Sequence, residues 1–270
     1  MPEPMLKLRP IAVLLLLSCA RLLLAQSAEL SGIAHVAFRV SDIDRSRAFY
    51  ARLGFEQAFE FTENGRVTQA FLKVNDRQFI ELYPRAQESQ QLGLTHVCYE
   101  AGDIQAVHAV YVQRGLNPPE VKKARAGNLL FVLHDPEGQV VEYTQYLPGS
   151  LHSEDQGKHL GKDRISTHLE DAAIGVKDVA AERAFYSEKL GFENAEKKGG
   201  RVALRIPGSN DELELEPADS AEASQISFAA EDLKRTRKVL RKLGFSPAKS
   251  GGGIQITDPD GNMIVFVPAR

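Results

Sequence analysis

Apolar and polar residues alternate along Ile33-Ala-His-Val-Ala-Phe-Arg-Val40, the pattern of a strand with one face buried and the other open. An Asp then stands where a helix N-cap belongs, and an amphipathic helix of about three turns ends at Gly54. Further alternating stretches follow, so the segment reads as β-α-β-β-β.

The same phrase recurs. Val40-Ser-Asp-Ile-Asp-Arg-Ser-Arg-Ala-Phe-Tyr50 with Leu53-Gly-Phe55 is echoed by Val176-Lys-Asp-Val-Ala-Ala-Glu-Arg-Ala-Phe-Tyr186 with Leu190-Gly-Phe192. Fainter copies begin at Ala101-Gly-Asp-Ile104 and Ala230-Glu-Asp-Leu233, and matching turns stand at Asp135-Pro-Glu-Gly138 and Asp258-Pro-Asp-Gly261. Four units are predicted, near 31–85, 92–146, 167–218 and 221–270. Each leaves one sheet face uncovered and should pair with its neighbour, which makes an α+β protein of four βαβββ modules in two paired halves. Residues 147–166, with Pro148 and several glycines, read as a linker, too long for an ordinary loop and therefore expected to pack partly on the surface.

Alternation assigns faces. Ile33, His35, Ala37 and Arg39 are predicted to share the open face, with Ala34, Val36, Phe38 and Val40 turned to the helix. By the same rule Glu81 goes with Phe79 and Tyr83, His96 with Leu94 and Cys98, and Glu142 with Val140 and Thr144. His35 and Glu81 are 46 residues apart, and so are His96 and Glu142. A pseudo-twofold pairing of the first two units brings all four to one point. Two imidazoles and two carboxylates in a concave face form a site for one divalent first-row metal ion. The other histidines, His108, His134, His152, His159 and His168, read as structural or exposed.

Composition narrows the partners. With 43% hydrophobic and 26% charged residues and a net charge of −3, nothing points to nucleic acid, and a small molecule is the expected partner of a monomer or homodimer. Residues 1–25, with Lys7 and Arg9 before Ile11–Leu17 and small residues before Gln26, read as a secretory signal peptide, too short for a stable membrane span. Export to the periplasm or medium follows; Leu16-Leu-Ser-Cys19 offers a lipoprotein processing site as the alternative. Cys98 alone then remains, which excludes an intramolecular disulfide.

The Phe-Tyr…Leu-Gly-Phe and Asp-Pro-x-Gly pieces resemble the vicinal oxygen chelate superfamily, which includes glyoxalase I, extradiol dioxygenases and bleomycin-binding proteins. The resemblance covers nearly the whole chain after residue 30 and implies two such domains, at 31–146 and 167–270. The order His35, Glu81, His96, Glu142 is similar to that of bacterial glyoxalase I, implying nickel, cobalt, zinc, manganese or iron as the ion. It also implies proton transfer by Glu81 or Glu142 on a small chelating carbonyl or hydroxy-acid substrate. Arg39 matches a glyoxalase position that holds a substrate carboxylate; Arg85 stands where glyoxalases place an Asn. An iron-dependent extradiol-type dioxygenase is the alternative, although Ala126–His134 lacks that group's spaced His and Tyr. A non-catalytic small-molecule binder is the other, against which the retained ligand set argues. Aligning the halves puts Asp171, Glu214, Gln225 and Val265 at the four ligand positions, so the second half is expected to carry a degenerate site.

Overall fold

A computed structural model of the protein describes residues 29–196, 202–219 and 224–270. Residues 1–25, read above as a signal peptide, and Cys19 lie outside the described residues. No helix among the described residues is long and apolar enough to cross a membrane.

The four predicted units are present. The first comprises β1 (Leu30–Val40), α1 (Ile43–Arg52), β2 (Gln57–Glu63), β3 (Arg66–Lys73) and β4 (Phe79–Pro84). The second comprises β5 (Gly93–Ala101), α2 (Ile104–Gln113), β6 (Lys122–Lys123), β7 (Leu129–His134) and β8 (Val140–Gln145). After a short helix α3 (Leu151–Glu154), the third has β9 (Leu169–Val176), α4 (Val179–Ala184) running into a π-helical turn Phe185–Leu190, β10 (Glu193–Glu196), β11 (Val202–Arg205) and β12 (Glu212–Pro217). The fourth has β13 (Ser224–Ala230), α5 (Leu233–Lys242), β14 (Ala248–Ser250), β15 (Gly253–Thr257) and β16 (Met263–Pro268). An Asp caps each of the four long helices: Asp42, Asp103, Asp178 and Asp232 each accept from two amides of the first turn.

Two eight-stranded mixed sheets result, ordered β2-β3-β4-β1-β5-β8-β7-β6 and β10-β11-β12-β9-β13-β16-β15-β14. In each, the first strands of two successive units meet antiparallel at the centre and pair parallel with the last strands of their own units. One face of each sheet packs against its helices: Val36 and Phe38 of β1 and Tyr50 of α1 are fully buried in one hydrophobic cluster that also takes in Phe228 and Phe266. Burial of each such ring contributes roughly 2–3 kcal/mol.

The halves are joined reciprocally. Glu137, in the Asp135 turn, accepts from the amides of Lys177 and Asp178 at the start of α4, at 2.7 and 2.8 Å. Asp260, at the matching place in the Asp258 turn, accepts from the amide of Ser41 at the start of α1, at 3.0 Å, and from its hydroxyl. Each turn thus seals the helix start of the opposite half with a carboxylate, where the helix dipole favours one. Stacked Phe55–Phe228 and edge-on Phe49–Phe245 pairs extend the contact. Gly32 permits a further close approach: at φ 115°, a Cβ there would lie 2.2 Å from an Asp211 carboxylate oxygen.

Strict alternation fails at three points along the β1–β5 pair, the first at Ser31. Ile33 pairs with Tyr99 but His35 pairs with Cys98, so Ala34 is an extra residue in β1. Ala37 pairs with His96 but Phe38 with Leu94, so Thr95 is an extra residue in β5. These β-bulges turn Ile33 and Leu94 to the core, correcting the expectation that they share the open face with the histidines. The bulges at Ala34 and Thr95 stand immediately before histidines, and another, at Glu170, precedes Asp171 in the second half.

Candidate metal centre

Register brings the four predicted ligands together on the open face of the first sheet. Across β4, β1, β5 and β8 one row reads Phe79, His35, Cys98, Glu142 and the next Glu81, Ala37, His96, Val140. His35 and Glu81 are almost fully buried, while His96 and Glu142 are partly exposed at the mouth. His35 Nε2 lies 3.1 Å from His96 Nε2 and 3.7 Å from Glu142 Oε1; His96 Nε2 lies 3.8 Å from Glu142 Oε2. His35 Nδ1 is 3.2 Å from Glu81 Oε1 but out of line for a hydrogen bond, which leaves that buried nitrogen unpaired.

Outer contacts fix which lone pairs face inward. The hydroxyl of Thr95 donates to Ala37 O at 3.0 Å and so can only accept from His96 Nδ1, 3.3 Å away. This assigns the proton to Nδ1 and makes Nε2 of His96 an acceptor facing Nε2 of His35. The bulged residue therefore orients the ligand it precedes. Glu81 Oε2 accepts from Tyr83 Oη at 2.8 Å and from Gln69 Nε2 at 2.7 Å, so Oε1 alone is turned to the imidazoles. No such pair of donors holds Glu142; its neighbour is the buried thiol of Cys98, whose pKa burial raises well above the ordinary value.

The charges are those of a site built for a cation. Burial lowers His35 to about 3 and His96 to about 4, with the second lowered further by the charge of the first. Burial raises Glu81, and raises Glu142 to about 8 with help from Glu81. The His35–Glu81 contact is thus no ion pair, because desolvation outweighs attraction for both partners. Donors to one first-row ion at about 2.1 Å stand roughly 3.0–3.4 Å apart, close to the spacing of the two Nε2 atoms. His35, Glu81 and His96 form one cluster of metal-ligand type, and His35, Cys98 and Glu142 an overlapping one. The residues fit a divalent ion.

The predicted substrate residues sit further out. Arg39 lies on the same face beside Tyr83, half-buried, with its guanidinium 3.3 Å from Gln91 O. Arg85 follows the end of β4, exposed, its amide bonded to Val40 O. Alternation had placed Tyr83 and Cys98 on this face without a role, and Gln69 carried no signal; its place follows only from β3 pairing with β4. His108 and His134 lie on or near the surface, and His168 is paired with Asp211 at 2.7 Å. His152, expected to be structural or exposed, is buried among aromatic rings beside this site.

In the second sheet, register puts Asp171, Glu214, Gln225 and Val265 at the four equivalent positions. The guanidinium of Arg270 reaches Asp171 Oδ2 at 3.1 Å and Glu212 Oε2 at 2.9 Å, so this cup carries a cation of its own.

Two family models described as glyoxalase/bleomycin resistance protein/dioxygenase superfamily match residues 34–131 and 167–266. Among solved structures, the fold is similar to the Mn(II)-bound glyoxalase from Novosphingobium aromaticivorans, with 17% identity, 88% of this chain and 82% of that one covered, and a TM-score of 0.68. It is similar to the 2,3-dioxygenase LapB from Pseudomonas sp. KL28, with 14% identity, 89% and 93% covered, and a TM-score of 0.65. It also resembles homoprotocatechuate 2,3-dioxygenase from Arthrobacter globiformis, with 17% identity, 89% and 80% covered, and a TM-score of 0.63. No curated protein sequence matches significantly. Likeness at such identities establishes the fold alone.

Proposed function

The chain belongs to the glyoxalase/bleomycin resistance protein/dioxygenase superfamily, and on that premise we propose that it is a metal-dependent lyase or isomerase of glyoxalase type. Its substrate is a small carbonyl or hydroxy-acid compound that presents two adjacent oxygens. The observation that carries this reading is the unequal treatment of the two carboxylates. Glu81 is clamped through one oxygen by Tyr83 and Gln69, whereas Glu142 has no such clamp among the described residues and lies partly exposed at the mouth.

His35, His96, Glu81 and Glu142 would hold one divalent ion, which supplies a Lewis acid for charge developing on the substrate oxygens. Glu142, unclamped and partly exposed at the mouth, is suited to take a proton from the carbon beside those oxygens and return it to the neighbouring carbon. Glu81, unable to turn without losing two hydrogen bonds, keeps the site in place during that exchange. Arg39 and, further out, Arg85 supply positive charge for an acidic end of the substrate.

A ring-cleaving oxygenase needs three protein ligands and open positions beside them. A clamped Glu81 supports the four-ligand reading instead. Glu142→Gln and Glu81→Gln separate the two. An amide oxygen still coordinates but accepts no proton, so Glu142→Gln should lower turnover by about 100- to 10,000-fold. Glu81→Gln should also cripple the enzyme, and activity should persist with nickel or cobalt in the absence of oxygen. Iron-dependent oxygen uptake with a catechol, indifferent to Glu81→Gln, would overturn the proposal.

A further inference from the structure

His152 lies in α3, the short helix after β8, and is 3% exposed. Its imidazole stacks on Tyr146 at 4.5 Å and meets Phe79, Phe59 and Phe71 edge-on at 4.9, 5.0 and 5.5 Å. Neither ring nitrogen has a hydrogen-bond partner. The surrounding rings offer none, and a bridging water would itself need two to four polar partners. A phenylalanine would fill this box without stranding two polar atoms, so packing does not explain an imidazole here.

The box continues the cup of the metal centre. Phe79 is the lateral partner of His35 and Phe71 that of Glu81, on the same face. The segment that carries His152 is fastened over it. Ser150 caps α3, the amide of Leu151 donates to Ala126 O at 2.8 Å, and the fully buried Lys73 binds Asp155 Oδ2 at 2.8 Å. Its imidazole is therefore held in one place beside the site.

We propose that His152 is a substrate-contacting residue of the first cup, hydrogen-bonding an oxygen of a ligand whose other oxygens lie at His35, Glu81, His96 and Glu142. Residues 147–155 then form a wall of the site, with Phe79 and Phe71 joining the aromatic box to the rows that carry His35 and Glu81. Burial keeps the imidazole neutral, pushing it down to about 3, so one ring nitrogen donates and the other accepts, which suits a hydroxyl or carbonyl oxygen. The inference rests on the first cup being the substrate site.

The test titrates the zinc-loaded protein with catechol, a planar ring with two adjacent oxygens, in calorimetry and in ring-¹⁵N spectra of histidine-labelled protein. His152→Phe should keep its zinc and its thermal midpoint, or raise the midpoint, yet bind catechol about tenfold more weakly or worse. His152→Gln, which restores a hydrogen-bonding group, should stay within about threefold of wild type. In the wild type, catechol should move the ring nitrogens of His152. Unmoved resonances, equal catechol affinity in His152→Phe, or equal losses in the Phe and Gln variants would overturn the proposal. Failure of the underlying reading shows elsewhere: zinc would survive the double change His35→Ala, His96→Ala.

Discussion

At the residue scale, the raised carboxyls and lowered histidines of the metal-free centre act in separate pH windows. A carboxyl raised by folding contributes stability present below its unfolded value, near 4.5, and lost as pH rises through its folded value, about 8 for Glu142. A histidine lowered by folding acts in the opposite sense: its contribution is lost as pH falls below 6.5 towards 3 or 4. Between about pH 6.5 and 8 Glu142 titrates while His35 and His96 stay neutral, so metal-free protein should lose stability there with a slope up to about 1.4 kcal/mol per pH unit. Urea midpoints measured with a chelator should fall across that window, whereas zinc-loaded protein should hold level or gain; a level metal-free curve would refute the raised carboxyls. Tyr83→Phe removes one of the two clamps on Glu81 and should weaken zinc binding by about 10- to 100-fold, readable by competition with a chromophoric chelator. That His35, Glu81, His96 and Glu142 gather on one face was legible because equal spacing and strand alternation survive in the sequence. The groups that orient the ligands were not. Thr95 acquires its role from a bulge and Gln69 from strand pairing, neither of which leaves a periodic trace in the chain.

At the scale of elements, helix starts and the succession of elements along the chain followed from local patterns, since an Asp before each helix competes only with its own first turn. The bulges escaped because an extra residue shifts alternation by one without changing composition, and Ile33 and Leu94 are apolar enough to suit either face. The Asp-Pro-x-Gly turns were legible as turns, yet their task is long-range. Asp260 is deeply buried, its carboxylate 3.2 Å from the guanidinium of Arg45, whereas Glu137 is exposed. Asp260→Ala should therefore cost about 2 kcal/mol and Glu137→Ala about 1 kcal/mol. Chemical denaturation of both single variants and the double variant checks this, with losses expected to add within about 0.5 kcal/mol because the contacts lie at different helix starts. A double variant no less stable than either single one would show that the turns do not carry the junction.

Across the whole molecule, two similar sheets carry dissimilar chemistry. The first presents imidazoles and carboxylates with inward lone pairs; the second presents Asp171 and Glu212 to the guanidinium of Arg270. Purified protein should bind one divalent ion per chain, and the double change His35→Ala, His96→Ala should abolish it. Elemental analysis finding two equivalents, or one that survives the double change, would place the metal elsewhere. The general plan was readable because repetition is visible at low similarity. The role of residues 147–166 was not, because a Pro- and Gly-containing stretch looks the same whether it hangs free or is fastened by distant partners such as Lys73 and Leu53.

That fastening bears on how the chain can vary in length. Connections between domains ordinarily absorb added residues at little cost, since closing a slightly longer loop changes its entropy only by fractions of a kcal/mol. Here the segment has two characters. From Leu147 to Asp155 it is held at Ala126, at the aromatic box and at Lys73, so one inserted residue would pull α3 out of step with all three. From Gln156 to Lys162 the side chains are mostly exposed and fewer distant contacts tie it down. A scan of single-residue insertions should divide near Asp155, with protein recovered in soluble form after that point and lost before it. Relatives that lengthen this connection should do so on its second part.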